Sequence, residues 1–213
     1  MLKGVIFDMD GVLVDSEEYI REAAMRMFAE RGLIVQPEDF IPFIGAGEDR
    51  FIGGPAEKYN FPLDLAEDKA RTYEIYGDLV KDLQPLTGAR EFVRKLKTRG
   101  LKLAVASAAD KVKVDINLGI LSLPSGTFDV VVNGLDVEKK KPDPEMFLLA
   151  AKKLGLSNSE CLVVEDAVNG VRAAKAAGSK CLGITTSFTP DDLHEADWFA
   201  ANLAEAPEEA TGW

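Results

Sequence analysis

Short apolar runs rich in Val and Ile recur along the chain, and between them lie longer stretches whose apolar positions return every three or four residues. The first pattern marks buried strands and the second amphipathic helices. Strands are expected at about 3–8, 101–107, 128–133, 161–165 and 180–185, with a weaker one near 197–200. Helices are expected between them, at about 88–98, 110–118, 143–154 and 167–177. Gly100, Gly155 and Gly178 each follow a basic turn, the punctuation of a helix C-terminus. Near-continuous apolar strands alternating with helices imply an α/β protein with a parallel sheet covered on both faces.

One interval breaks the rhythm. More than 90 residues separate Phe7 from Leu101, where a βα unit needs roughly 30. The excess reads as helix, at about 17–31, where Ile20, Ala23, Ala24, Met27 and Phe28 share a face, and at about 64–81. Asp15 and Glu18 are spaced as a capping box for the first of these. The chain therefore divides into a core of residues 1–14 and 84–213 and a helical insert of residues 15–83, hinged near Val14-Asp15 and Gln84-Pro85. The insert leaves from the strand end where open α/β sheets bind ligands, so it is placed as a lid. Around Phe40, Phe43, Ile44 and Phe51 its aromatic and aliphatic residues read as insert core rather than substrate wall.

Composition narrows the function. At 213 residues, 46% hydrophobic and with a net charge of −11, the chain is an acidic globular protein. It lacks the basic face that a nucleic acid or an anionic membrane requires. No apolar run is long enough for a membrane span, and a strand begins almost at Met1 where a signal peptide would lie, so the chain reads as cytoplasmic. Cys161 and Cys181 read as buried thiols, and the single histidine, His194, sits among acids on a solvated face. Serine–histidine and cysteine–histidine catalysis are thereby disfavoured.

The chemistry-bearing residues stand at strand ends. Asp8 and Asp10 follow Val5-Ile6-Phe7, Ser107 ends the second run, Glu165-Asp166 closes the fourth, and Lys141 precedes Pro142 in the loop between. In a parallel sheet these ends share one edge, so the groups can converge. Two acids two residues apart repel each other unless a cation or substrate group separates them. Other readings stand beside this one. Lys139-Lys140-Lys141 also reads as a solvated basic run, Ser107 as a helix N-cap, and Glu165-Asp166 as the N-cap of the helix that follows.

The motifs Asp8-Met9-Asp10-Gly11-Val12, Ser107-Ala108, Lys141-Pro142-Asp143-Pro144 and Glu165-Asp166-Ala167, in this order, resemble the haloacid dehalogenase (HAD) superfamily. The likeness covers nearly the whole chain and is greatest to the subfamily capped after the first strand, which includes β-phosphoglucomutase and phosphoglycolate phosphatase. It implies a Rossmann-like core with an α-helical cap, Asp8 as nucleophile and Asp10 as general acid and base. It further implies Ser107, Ala108 and Lys141 on the phosphate, and Mg²⁺ held by Asp8, the Asp10 carbonyl and Asp166, with Glu165 beside them. The implied substrate is a small phosphorylated metabolite, a sugar or polyol phosphate, and the implied reaction hydrolysis through an aspartyl phosphate. β-Phosphoglucomutase is the alternative. The mutases, however, carry His at the position of Ile20, Arg at the place of Glu48, and a hydroxyl and an Asn where this chain has Ala109 and Lys111. Glu48 and Arg50 are the cap residues expected near substrate, with Arg50 or Lys58 the cations available in place of the missing Arg.

Overall fold

The computed structural model describes residues 1–43 and 47–213. Six parallel strands form one sheet in the order β3-β2-β1-β4-β5-β6, with β1 Gly4–Phe7, β2 Lys102–Ala106, β3 Val130–Val132, β4 Cys161–Glu165, β5 Lys180–Ile184 and β6 Trp198–Ala200. Every strand expected from the apolar runs is present, including the weak last one. The β1 register pairs Phe7 with Val105 on one side and with Val164 on the other. The residues following Phe7, Ala106 and Val164 therefore emerge side by side. Strand order reverses at β1, which makes the crevice beyond these ends the ligand position of an open α/β sheet.

Alternation along the strands builds two cores. Val5, Phe7, Leu103, Val105 and Val164 pack against Phe92, Val93 and Leu96 of α4 (Ala89–Thr98) and Val114 of α5 (Lys111–Ile120). Ile6, Ala104, Ala106 and Val163 face the other way, onto Met146 and Phe147 of α6 (Glu145–Leu154) and Val171 and Ala174 of α7 (Val168–Ala176). Cys161 and Cys181 are buried free thiols in this second layer. His194 is exposed.

Between β1 and β2 lie α1 (Glu17–Glu30), α2 (Glu48–Lys58) and α3 (Leu65–Leu79). They share a hydrophobic cluster of their own around Ile20, Phe28, Phe40, Phe51 and Tyr76. The chain leaves and re-enters at one place, where the Leu86 N–H donates to the Leu13 carbonyl at 3.0 Å. Helix α2 was not expected from the sequence, because Gly53, Gly54 and Pro55 stand inside it and all three have poor intrinsic helix propensity.

Two capping expectations are corrected. The residue that caps α1 is Ser16, and neither Asp15 nor Ser16 makes a side-chain capping bond; the Ser16 hydroxyl is committed to Asp10 instead. Nor does Ser107 cap α5, which begins after Asp110. Ile44, Gly45 and Ala46 lie outside the described residues, so the reading of Ile44 as insert core is not addressed.

No helix among the described residues is long and apolar enough to cross a membrane. Phe28 is fully buried and meets Phe61 edge-on at 5.9 Å between ring centroids. Phe28→Ala should cost about 3–5 kcal/mol of stability by the loss of packing and the cavity left behind. Urea unfolding measures it, and a loss below about 1 kcal/mol would show that this cluster does not hold the helices together.

Candidate active site

The expected groups converge at the carboxyl edge of the sheet. A cavity of about 350 Å³ opens there, lined by Asp8, Asp10, Ser107, Ala108, Lys141, Glu165 and Asp166 from the core and by Glu17, Ile20, Phe43, Glu48 and Phe51 from the insert. Asp8 stands one residue past β1, its N–H bonded to the Val164 carbonyl at 2.9 Å. The chain then turns at Gly11 (φ 74°), where a Cβ would lie 1.9 Å from Asp166 Oδ2. Glycine is thus required there both for the left-handed backbone and for the space. Gly170 serves the same packing, since a Cβ would fall 1.9 Å from Glu165 Cδ.

Asp8, Glu165 and Asp166 each bring a carboxylate oxygen within 4.8 Å of the others, and all three residues are buried. Lys141 donates to Asp8 Oδ1 and, at 2.5 Å, to Glu165 Oε1. The second Glu165 oxygen accepts the N–H groups of Asp166 and Ala167, both at 3.1 Å. Ser187 donates to Asp166. These partners fix the orientation of the acids without balancing their charge. Three carboxylates and one ammonium leave two negative charges over.

Protonation follows from that imbalance. Burial pushes the Asp8 carboxyl up to about 7, with repulsion from Glu165 and Asp10 adding to it and Lys141 opposing. Asp166 is pushed well above the usual carboxylate range by burial, Glu165 and Asp8. Burial disfavours the Lys141 ammonium, but Asp8 and Glu165 outweigh it and hold the amine protonated. An oxygen-only donor set with two surplus negative charges fits a hard divalent cation such as Mg²⁺.

Asp10 occupies a second network. Its Oδ1 accepts the Ser16 hydroxyl and, at 3.5 Å, Asn117 Nδ2, while its Oδ2 accepts Lys113 Nζ at 2.9 Å. Lys113 is 3% exposed, and the carboxylates of Asp10, Glu17 and Glu48 outweigh its desolvation and keep it charged. The Ser107 hydroxyl accepts the Ala109 N–H at 3.2 Å, leaving Ser107 and Ala108 at the cavity wall.

The two cap residues part company. Glu48 is buried in the cavity wall, whereas Arg50 pairs with Glu57 at 2.8 Å and borders a separate hollow. Lys58 is paired with Asp39 and does not reach the cavity. Of the insert aromatics, Phe40 is wholly core, while Phe43 and Phe51 also line the cavity. Ser16, Glu17, Lys113, Asn117 and Ser187 were missed by sequence reasoning. None stands at a strand end, and Lys113, flanked by Val112 and Val114, reads as an ordinary helix-surface lysine.

The chain is similar to known proteins over most of its length. A family model described as hydrolase, haloacid dehalogenase-like hydrolase, matches residues 2–178. The chain is 45% identical over 203 residues to Protein SUPPRESSOR OF QUENCHING 1, chloroplastic, of Arabidopsis thaliana, covering 92% of this chain and 19% of that protein. It thus spans about a fifth of that relative's length. To Hexitol phosphatase A of Escherichia coli it is 30% identical over 208 residues, covering 95% of this chain and 92% of that one. The solved structure of CbbY from Rhodobacter sphaeroides in complex with phosphate matches with a TM-score of 0.85 at 26% identity, covering 96% of each chain.

Glu48 carries a measurable consequence. Burial raises its carboxyl from 4.5 to about 7, against the pull of Lys113. A raised carboxyl stabilises the fold while it is protonated, so that contribution is complete below 4.5 and is lost as pH rises through about 7. The loss approaches about 1.4 kcal/mol per pH unit within that window. Glu48→Gln should flatten this part of the stability–pH curve, as followed by chemical denaturation. An unchanged slope would show that Glu48 does not titrate there.

Proposed function

We propose that this chain, which belongs to the haloacid dehalogenase-like hydrolase family, is a Mg²⁺-dependent phosphatase that hydrolyses a small sugar or polyol phosphate through an aspartyl phosphate on Asp8. The observation that carries the reading is the pairing of Lys141 with both Asp8 and Glu165 inside a buried three-carboxylate cluster. Such a cluster has no structural purpose that apolar residues would not serve better, since buried ion pairs are weak stabilisers. The resemblance of the chain to a hexitol phosphatase supports the substrate class.

An Asp8 carboxylate oxygen attacks phosphorus, and the bond from phosphorus to the ester oxygen breaks. A phosphate dianion repels each carboxylate by about 4 kcal/mol per pair of unit charges at 4 Å and an effective dielectric near 20. Asp8, Asp166 and the Asp10 carbonyl, with Glu165 adjacent, would hold Mg²⁺, whose charge would offset this repulsion. Lys141 adds a point charge to the same phosphoryl group, and the Ser107 hydroxyl and Ala108 N–H hold its oxygens. Asp10 gives a proton to the departing oxygen. In the second half, water attacks the phosphorus of the acyl phosphate, Asp10 takes the water proton, and Asp8 is released. General acid–base assistance of this kind is typically worth 10²–10⁴-fold. Its orientation comes from Ser16, Asn117 and Lys113, which hold both Asp10 oxygens.

The division into a core of residues 1–14 and 84–213 and a cap of residues 15–83 belongs to the same proposal. It is supported by the separate hydrophobic cluster of the three inserted helices and by the single crossing near Leu13 and Leu86. The mutase alternative has less support. Ile20 and Glu48 line the cavity where a mutase needs a base and a cation for its second phosphate. A cytoplasmic location is retained in the proposal, with an organelle as the competing outcome, since one relative is named chloroplastic. The acidic surface of a chain with net charge −11 supports neither nucleic acid nor membrane as partner.

Asp8→Asn should reduce turnover of phosphate esters to background while leaving the melting transition cooperative. A chelator should abolish activity in the unaltered chain, and added Mg²⁺ should restore it. Phosphate release assayed on a panel of phosphorylated metabolites reads all three. Activity persisting in Asp8→Asn would remove Asp8 as the nucleophile.

A further inference from the structure

The wall that the insert contributes to the cavity is acidic. Glu48 enters it from the first turn of α2, nine-tenths buried, with Oε2 held by the Asp110 N–H at 3.2 Å. Glu17, from the first turn of α1, lines the same wall. Among the described residues lining the cavity the cations are Lys113 and Lys141, and Ile44, Gly45 and Ala46 carry no charge that could add to them. Both are engaged. Lys141 serves Asp8 and Glu165, and Lys113 donates to Asp10. Lys113 is therefore one ammonium facing Asp10, Glu17 and Glu48. The other nearby cations of the insert are paired and do not line the cavity: Arg21 with Glu18, Lys69 with Asp49 and Asp110, Arg50 with Glu57 and Lys58 with Asp39.

A substrate anchored by its phosphate at Asp8 must place its leaving group against this wall. From that juxtaposition we propose that the cavity selects phosphate monoesters whose leaving group carries no second anion, with Glu48 as the specificity-determining residue. This inference rests on the phosphatase reading above and names the substrate class within it. Hydroxyls can donate to the Glu48 and Glu17 carboxylates, and an amine on the leaving group can pair with them. Above about pH 7, where Glu48 is ionised, a second phosphate would bring like charges together with no free cation lining the cavity to receive it, which is discrimination by repulsion rather than by fit. Ile20 and Phe51 beside the acids offer apolar surface to the carbon face of a sugar or polyol.

The test compares kcat/KM, at a pH above about 7 where Glu48 is ionised, for a hexitol monophosphate, an aminohexose monophosphate and a hexose bisphosphate. The unaltered chain should process the bisphosphate about 100-fold less efficiently than the hexitol ester. Glu48→Gln should narrow that gap about 10-fold, and Glu48→Lys should narrow it further, mainly through KM of the bisphosphate. A structural role for Glu48 would lower all three substrates in parallel. Equal use of bisphosphate and monophosphate by the unaltered chain, or parallel losses in the variants, would overturn the inference. If no ester is hydrolysed, the phosphatase reading falls, and calorimetric binding of the same probes to the Asp8→Asn chain decides the selectivity. Preference there for the hexitol ester supports the inference; equal binding, or none to either, overturns it.

Discussion

The site is organised by an electrostatic deficit. Asp8, Glu165 and Asp166 are held together by the ends of two adjacent strands, and Lys141 is the ammonium that reaches into them. Folding buries all four groups, so water cannot screen the two surplus negative charges. The protein meets part of that cost by holding carboxyls protonated near neutrality, as the raised Asp8 and Asp166 show. A divalent cation meets it more completely. The rest of the site follows from this constraint, including the glycines at 11 and 170 that leave room for the acids.

The parallel sheet makes the deficit possible. Because β1 lies between β2 and β4 in matched register, residues more than a hundred positions apart arrive at one rim. Side chains on strands fully buried among apolar neighbours cannot move apart to relieve repulsion. The insert then closes the rim with a different chemistry. Its wall carries Glu17 and Glu48 against a single Lys113, whereas the core side carries Lys141 beside Asp8, Glu165 and Asp166.

Much of this was legible in the chain. The six strands were readable because each is a short apolar run, buried on both faces in the four central strands, and Asp8, Asp10, Ser107 and Glu165-Asp166 were readable because they stand where those runs stop. The convergence of Lys141 was carried by its place in the motif order. What escaped depends on rotation about helix axes. Lys113 and Asn117 reach Asp10 because one face of α5 turns inward, which its mixed Val and Lys positions do not reveal. Ser16 escaped because it stands at the head of α1, where a hydroxyl reads as ordinary, and the fold commits that hydroxyl to Asp10 instead. Helix α2 escaped because Gly53, Gly54 and Pro55 argue against helix locally, while burial of Phe51 and Ile52 in the insert core favours it.

The central claim is most directly tested by calorimetric titration of the substrate-free protein with Mg²⁺ near neutral pH, repeated in buffers of different ionisation enthalpy. Carboxyls held protonated by burial must ionise when the cation enters, so saturable one-site binding should be accompanied by proton release, and Asp166→Asn should weaken it strongly. Absence of saturable binding, or equal binding by Asp166→Asn, would contradict the account.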